Sequence, residues 1–221
     1  MEDASGKRDF NKEAASWDIP PRVKMAEDVA SALRGRLRLN PEMDVLDFGC
    51  GTGLLSLALR PEVRSVTGAD SSPMMIEAFR NKISSSSLEG VRAILLEEGR
   101  ETEIPGKYNL IVSNMVLHHV PDIDLLFKSF RKALLPGGYI ALSDLDAEGG
   151  QFHRDPQGVF HEGFQRGAVS RMLAEAGFEN IEINEAAKVE RPGKDGVMRI
   201  FTIFLAIGRL PEEDNLRKEP R

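Results

Sequence analysis

The sequence predicts an α/β fold: one doubly wound open sheet of seven strands whose last strand is antiparallel. Three observations carry that expectation. Short apolar runs that read as strands alternate with helix-like runs from Met43 to Asp146. A glycine-rich stretch, Asp47-Phe48-Gly49-Cys50-Gly51-Thr52-Gly53, joins the first of these strands to the helix after it. Two more strand-like segments close the pattern, joined only by the loop RPGKDG. Strand–helix alternation implies right-handed crossovers and a parallel sheet covered on both faces. A short loop between the final pair implies a hairpin.

Each element has its own signal. Val23, Ala26, Val29, Ala30 and Leu33 mark the buried stripe of a first helix. MDVLDFG is short, apolar and bounded by Pro41 and the glycines: a strand. LLSLALR follows as a helix, and SVTGAD (Ser65 to Asp70) is the second strand. Pro73 after Ser71 and Ser72 starts a helix that runs to Ile83. Val91 to Glu97 is a third strand. Tyr108 to Asn114 is a fourth, and its continuous apolar run suits burial on both faces. From Pro121 to Leu135, one helical face carries Ile123, Leu126, Phe127, Phe130 and Leu134, and Pro136-Gly137-Gly138 reads as a stop. Tyr139 to Asp146 is the fifth strand, and Gly167 to Phe178 is a last helix with Gly177 as its cap.

Composition narrows the function. A chain of 221 residues is long enough for one buried core and short for two. With 29 Lys+Arg against 35 Asp+Glu, the net charge of −6 disfavours a nucleic-acid partner. Cys50 is the single cysteine, so no intrachain disulfide is possible. The N-terminal text has no apolar stretch, so no secretory signal is expected. The longest apolar run, Ile200 to Ile207, is far short of the ~20 residues that span a bilayer. A cytoplasmic protein without a membrane span is expected.

The chemistry centres on the glycine stretch. Open α/β sheets bind ligands at the carboxyl ends of their strands. Leu54 stands where a dinucleotide fingerprint has its last glycine, and no G-K-[ST] of a P-loop follows. The second strand ends at Asp70, which lies 23 residues past Asp47. An acid at about that distance accepts hydrogen bonds from ribose hydroxyls in this architecture. The other role open to Asp70 is helix capping. Loop, acid and βα alternation together point to a cofactor bearing a nucleoside.

DVLDFGCGTGLLSLAL, VTGADSSPMMIEAF, the stretch from YNLIVSN to ALSD, and EAGF are similar to the class I S-adenosylmethionine (SAM)-dependent methyltransferases. The closest flavour is the branch holding the ubiquinone/menaquinone-biosynthesis enzymes and many small-molecule methyltransferases. The resemblance covers roughly positions 40 to 185. It implies a Rossmann-like fold with a reversed final strand, and SAM as cofactor. It implies that the backbone of Gly49, Cys50, Gly51 and Gly53 cradles SAM. Asp47 would then meet the methionine amino group and Asp70 the ribose, with Ser71 beside it and Met75 against the adenine. Asn114 and Met115 would line the methionine side. Where the family has an Asp after the third strand, this chain reads LLEEGRETEIP, so Glu97 or Glu98 takes that place. FNKEAASWDIPPRVKMAEDVASAL resembles the first helices of this branch, which fold over SAM. Residues 1–35 are therefore expected to form a helical lid. The core then spans 36–210, with a substrate-side insertion at about 147–166, and 211–221 is a flexible charged tail. Trp17 belongs either to the lid or to simple core packing. Arg22 either pairs with the SAM carboxylate or is an exposed helix arginine.

The acceptor half rests on histidines. His119 stands in the LHH that the family commonly has after the fourth strand. His153 and His161 lie in the insertion, among Phe152, Phe160 and Phe164. That mixture suits either a small-ligand pocket, with His161 as the leading polar contact and base, or a surface loop anchored by its phenylalanines. His153, Asp155, His161 and Glu162 match no standard zinc spacing, so no metal site is expected. Cys50 has no histidine near it in sequence, and its small size suits the loop. Asn114-Met115-Val116-Leu117 replaces the [DNS]-P-P-[YF] of nucleic-acid amino-methyltransferases. The expected activity is methyl transfer from SAM to a small-molecule acceptor. A protein side-chain methyltransferase and a non-catalytic SAM-binding module are the alternatives.

Overall fold

The computed structural model describes residues 9–97, 99–100 and 102–212. Seven strands form one sheet: β1 (Asp44–Phe48), β2 (Ser65–Asp70), β3 (Val91–Leu95), β4 (Tyr108–Asn114), β5 (Leu134–Leu145), β6 (Glu179–Pro192) and β7 (Met198–Arg209). Their order is β3-β2-β1-β4-β5-β7-β6. The pairs from β3 to β5 are parallel, and β7 runs antiparallel to both β5 and β6. The order reverses between β1 and β4, which opens a crevice at the carboxyl ends of those two strands.

Among the described residues five α-helices cover the faces: α1 (Pro20–Arg34), α2 (Leu54–Leu59), α3 (Pro73–Ser85), α4 (Ile123–Ala133) and α5 (Arg166–Glu175). Side-chain alternation sends the two sides of each strand to different cores. Leu110 and Val112 of β4 join Val29, Ala30 and Leu33 of α1 and Leu55 and Leu59 of α2. Ile111 joins Phe127 and Phe130 of α4 and Val169 and Leu173 of α5. The hairpin forms as expected, turning through 193–197.

Two expectations change in detail. Pro136-Gly137-Gly138 does not separate helix from strand. Leu134, the C-cap of α4, already has extended backbone and pairs with Tyr108. The register then slips before Leu110 meets Tyr139, and Gly137, at φ +75°, lies in the slipped stretch. Of the expected lid, residues 1–8 lie outside the described residues, and the rest divides in two. Residues 9–19 form a strap of two short 3-10 turns, whereas α1 is a core helix with Ala26, Val29, Ala30 and Leu33 buried and Val23 half-buried. Of the tail, residues 213–221 lie outside the described residues. Among the described residues no helix is long and apolar enough to cross a membrane.

Phe79 of α3 ties the sheet to the glycine loop. It is fully buried. Its ring fills the space that a side chain would need at Gly68, where an ideal Cβ would lie 2.5 Å away, and at Gly53. Gly53 also has φ +85°, in the left-handed region. Gly53→Ala therefore combines overpacking with backbone strain. It should lower the folding free energy by roughly 2–5 kcal/mol. A urea titration showing a lower midpoint at unchanged slope checks this.

Candidate active site

The loop after β1 is built from backbone. Gly49, Gly51 and Gly53 have φ of +71°, +54° and +85°. Residues with a Cβ seldom adopt that conformation, so the alternate glycines are required by the turn itself. The N–H groups of Gly49 and Cys50 donate to the Ala69 carbonyl at 2.7 and 3.1 Å, fastening the loop to the end of β2. Asp70 holds it from the other side. Its Oδ2 accepts the Gly51 N–H at 2.8 Å and its Oδ1 accepts the Ser72 N–H at 2.8 Å. The cap of α3 is Ser72, whose hydroxyl accepts the Met75 N–H at 3.2 Å. Asp70 is therefore not the N-cap. Ser71, beside it, is exposed, and Met75 is buried with its sulfur facing Gly51.

Asp47 lies behind the loop at the end of β1, 1% exposed. Its Oδ2 accepts a hydrogen bond from the Ser56 hydroxyl at 2.6 Å. Burial pushes its carboxyl up to about 6, against the lowering effect of Ser56. Burial also raises Asp70, opposed by the Ser72, Gly51 and Ser71 amides. Burial, with the charges of Asp47 and Asp70, holds the Cys50 thiol well above its ordinary value. A thiol so placed is not an activated nucleophile.

The strap crosses over this loop. An ideal Cβ on Gly51 would lie 3.4 Å from the Trp17 indole nitrogen. Asp18 accepts the Thr52 hydroxyl at 2.5 Å and pairs with Lys82, whose ammonium also donates to the Thr52 carbonyl at 2.8 Å. Asn11 Oδ1 accepts from the Ser72 hydroxyl at 2.8 Å and from the Met74 N–H at 3.2 Å. The Arg22 guanidinium stacks 3.8 Å from the Trp17 ring centroid and bonds Glu13 at 3.3 Å. Trp17 thus packs on the loop, and Arg22 packs on Trp17. Glu97, past the end of β3, pairs with Arg100 at 3.0 Å, and Glu98 lies outside the described residues.

Past β4, Asn114 Oδ1 accepts the Ser143 hydroxyl at 2.9 Å, and Met115 has φ +60°, rare for a residue with a side chain. Val116 then packs against Gly49, and Leu117–His119 forms a 3-10 turn. The turn brings histidines together. His119 and His153 have ring centroids 5.6 Å apart, and His118 lies 4.1 and 4.9 Å from them. His118 Nδ1 is 2.7 Å from Asp144 Oδ1, with both residues buried. Phe10 of the strap sets its ring edge-on to His119 at 5.1 Å and to Trp17 at 6.0 Å. His161 stands apart from this group. Its Nε2 donates to the Val120 carbonyl at 2.9 Å, and its ring lies against Phe164 in a groove with Pro121, Asp122 and Met172.

Sequence reasoning missed Asp144, His118 as its partner, and the Asn11, Asp18, Thr52 and Lys82 contacts. Asp144 had a signal: a carboxylate inside the apolar run YIALSDLD. The strap contacts had none, because each depends on tertiary docking.

The fold and the loop between β1 and α2 define a Rossmann-like domain of the class I SAM-dependent methyltransferases. A family model described as "Methyltransferase domain" matches residues 22–183, and the chain belongs to that family. It is 31% identical over 128 residues to a ubiquinone biosynthesis O-methyltransferase of Bordetella avium, covering 58% of this chain and 50% of that one. The chain spans about half the length of such curated relatives, so its tie to the ubiquinone branch is distant. A SAM-dependent methyltransferase from Aquifex aeolicus superposes with TM-score 0.65 at 20% identity, covering 90% of this chain and 98% of that one. A Haemonchus contortus phosphoethanolamine N-methyltransferase in complex with S-adenosylhomocysteine gives TM-score 0.69 at 14% identity, covering 96% and 61%. At those identities the two structures share the fold.

Asp47 generates a prediction with a defined sign. Its carboxyl is raised from 3.8 to about 6 on folding, so its ionised form destabilises the ligand-free protein. That cost is full above about pH 6 and fades as pH falls toward the unfolded value. Asp47→Asn should stabilise the ligand-free protein by about 1–3 kcal/mol at pH 7. The gain should shrink toward zero near pH 4. Thermal unfolding of both proteins across this range measures it.

Proposed function

We propose that this domain transfers the methyl group of SAM to a small-molecule acceptor. The observation that carries the reading is the left-handed glycine loop between β1 and α2, flanked by Asp47 behind and Asp70 beside it. Asp47 is a buried carboxylate suited to an ammonium group, here the amino group of the methionine moiety. Asp70 keeps acceptor capacity beyond the amide bonds it accepts and faces the loop, where a ribose would lie. Methyl transfer from a sulfonium has a neutral leaving group, so catalysis consists mostly of in-line positioning. The strap and the 147–166 segment supply that positioning. They meet at His119, which touches Phe10 on one side and the Gly158 carbonyl, at 2.6 Å, on the other. A site roofed by two segments of its own chain favours a small acceptor over a folded protein. His119 and His153 are its polar groups, and His161 serves the outer groove. The reading includes a base where the acceptor must lose a proton, with His119 or His153 in that role.

Calorimetry with SAM and S-adenosylhomocysteine tests the cofactor half. Asp70→Ala should weaken SAM binding by roughly 1.5–3 kcal/mol while circular dichroism stays native. Unchanged affinity would leave Asp70 with only its role as a loop clasp. A panel of acceptors read out by S-adenosylhomocysteine production tests the other half, and a well-folded protein with no turnover on any acceptor would favour a binding module.

The strap must move for the cofactor to reach Gly51, because Trp17 packs on it. Trp17 is the sole tryptophan, so its emission reports this step. Saturating SAM should shift or quench the emission. Asp18→Ala, which removes the Thr52 and Lys82 contacts, should shift it without ligand. A spectrum indifferent to both would show that the strap is fixed.

A further inference from the structure

Three of the four histidines converge on one point: one ring nitrogen from each of His118, His119 and His153 lies within 4.8 Å of the other two. Two segments distant in sequence supply them, the turn after β4 and the segment after β5. Their chemistry is set by what stands behind them. The Gly158 carbonyl can only accept, so the 2.6 Å contact puts the proton of His119 on Nδ1. The Asp144 carboxylate, which also accepts the His118 and Leu145 amides at 3.2 and 2.7 Å, does the same for His118. The Nε2 atoms of both rings then carry the lone pairs. Imidazoles whose other nitrogen donates to a carboxylate or a backbone carbonyl are the arrangement in which histidine ligates metals.

We propose that His118, His119 and His153 form a binding site for a late divalent transition ion, of which Zn²⁺ is the reference case. Three neutral nitrogen donors select zinc, cobalt or nickel over magnesium and calcium, which require oxygen ligands. Three protein ligands leave a fourth position for water or another small oxygen donor, the pattern of an open site. Asp144 makes the second layer. It is 0% exposed, and a carboxylate there strengthens His118 as a donor. A tetrahedral zinc with bonds of about 2.0–2.1 Å places its nitrogens about 3.4 Å apart, so the rings must draw in by about 1 Å. His119 and His153, both partly exposed, have room for that adjustment. The sequence did not disclose the set, because His118 and His119 are adjacent and His153 follows 34 residues later, a spacing with no zinc motif.

The test uses the full chain without a polyhistidine tag, stripped with chelator and titrated with Co²⁺. About one equivalent should bind, with the intense visible absorption of a four-coordinate ion, and Zn²⁺ should bleach it. Zn²⁺ should also raise the melting temperature. His119→Ala and His153→Ala should each weaken Co²⁺ binding at least tenfold, and Asp144→Asn by about 10–100-fold. His161→Ala, outside the cluster, should bind as wild type does. Variants are compared only where circular dichroism is native, and His153→Gln replaces any alanine variant that misfolds. Folded wild type that takes up no Co²⁺ overturns the proposal, as does binding that survives both His119→Ala and His153→Ala. Neither readout involves SAM, so this result is separate from SAM binding and methyl transfer, although a bound ion would take the nitrogens that the proposed function offers as the base.

Discussion

The structure depends on holding carboxylates, buried or half-buried, at the carboxyl ends of its parallel strands. Asp70 ends β2, and Asp47 and Asp144 each lie one residue from the end of their strands, β1 and β5. An unpaired buried charge is among the costliest features a fold can carry. Each of these is met differently. Asp70 is held by backbone amides, and those same bonds shape the glycine loop. Asp144 is held by the His118 ring and two amides, and those bonds shape the turn after β4. Asp47 is held by Ser56 alone, through its hydroxyl and its amide, and burial raises the carboxyl against that hold. The least satisfied carboxylate is the one on which a cationic group of a ligand has most to gain.

The loop and the strap, the two sides of the proposed cofactor site, are held in different ways. The loop is rigid for reasons internal to it: left-handed glycines, amide bonds to Ala69 and the ring of Phe79 beneath. The strap is held by contacts of another kind. Asp18, Thr52, Lys82, Asn11 and Ser72 join it through side-chain bonds near the surface, and Trp17 and Phe10 add aromatic area. Surface ion pairs and single neutral hydrogen bonds contribute little each. A segment so attached is stable when docked and inexpensive to lift. The proposed opening would be confined to residues 9–19, because α1 is locked in the core at its other end.

How much of this the sequence disclosed follows from where each feature gets its information. β2 and β4 coincide with the expected residues because each run is apolar and ends at a turn signal. The glycine loop was legible because left-handed backbone demands glycine, so its geometry is written in residue type. Pro136-Gly137-Gly138 misled because proline and glycine mark a break in regular pairing, and a slipped strand register satisfies them as well as a loop does. The first 35 residues read as one unit because amphipathic spacing shows that α1 is buried without showing against what. His161 drew attention as a histidine among phenylalanines, yet its ring bonds the Val120 carbonyl, while His118 faces Asp144 across the turn. Periodicity carries no information on such pairings.

That asymmetry has a physical origin in the reaction. Holding a nucleoside and an amino acid requires amides, a hydroxyl-binding acid and space, and amides belong to every residue. The cofactor half is thus specified by conformation, and conformation leaves glycine as its mark. The acceptor half must distinguish one nucleophile from others, and only side chains do that. In the proposed site those side chains come from the turn after β4, the segment after β5 and the strap, three pieces far apart in the chain. Their meeting at His119 is a product of the sheet order, which places β4 beside β5, and of the docking of Phe10. On the proposed reading, a change of acceptor would come from these three segments alone, with β1, β2 and the glycine loop left as they are.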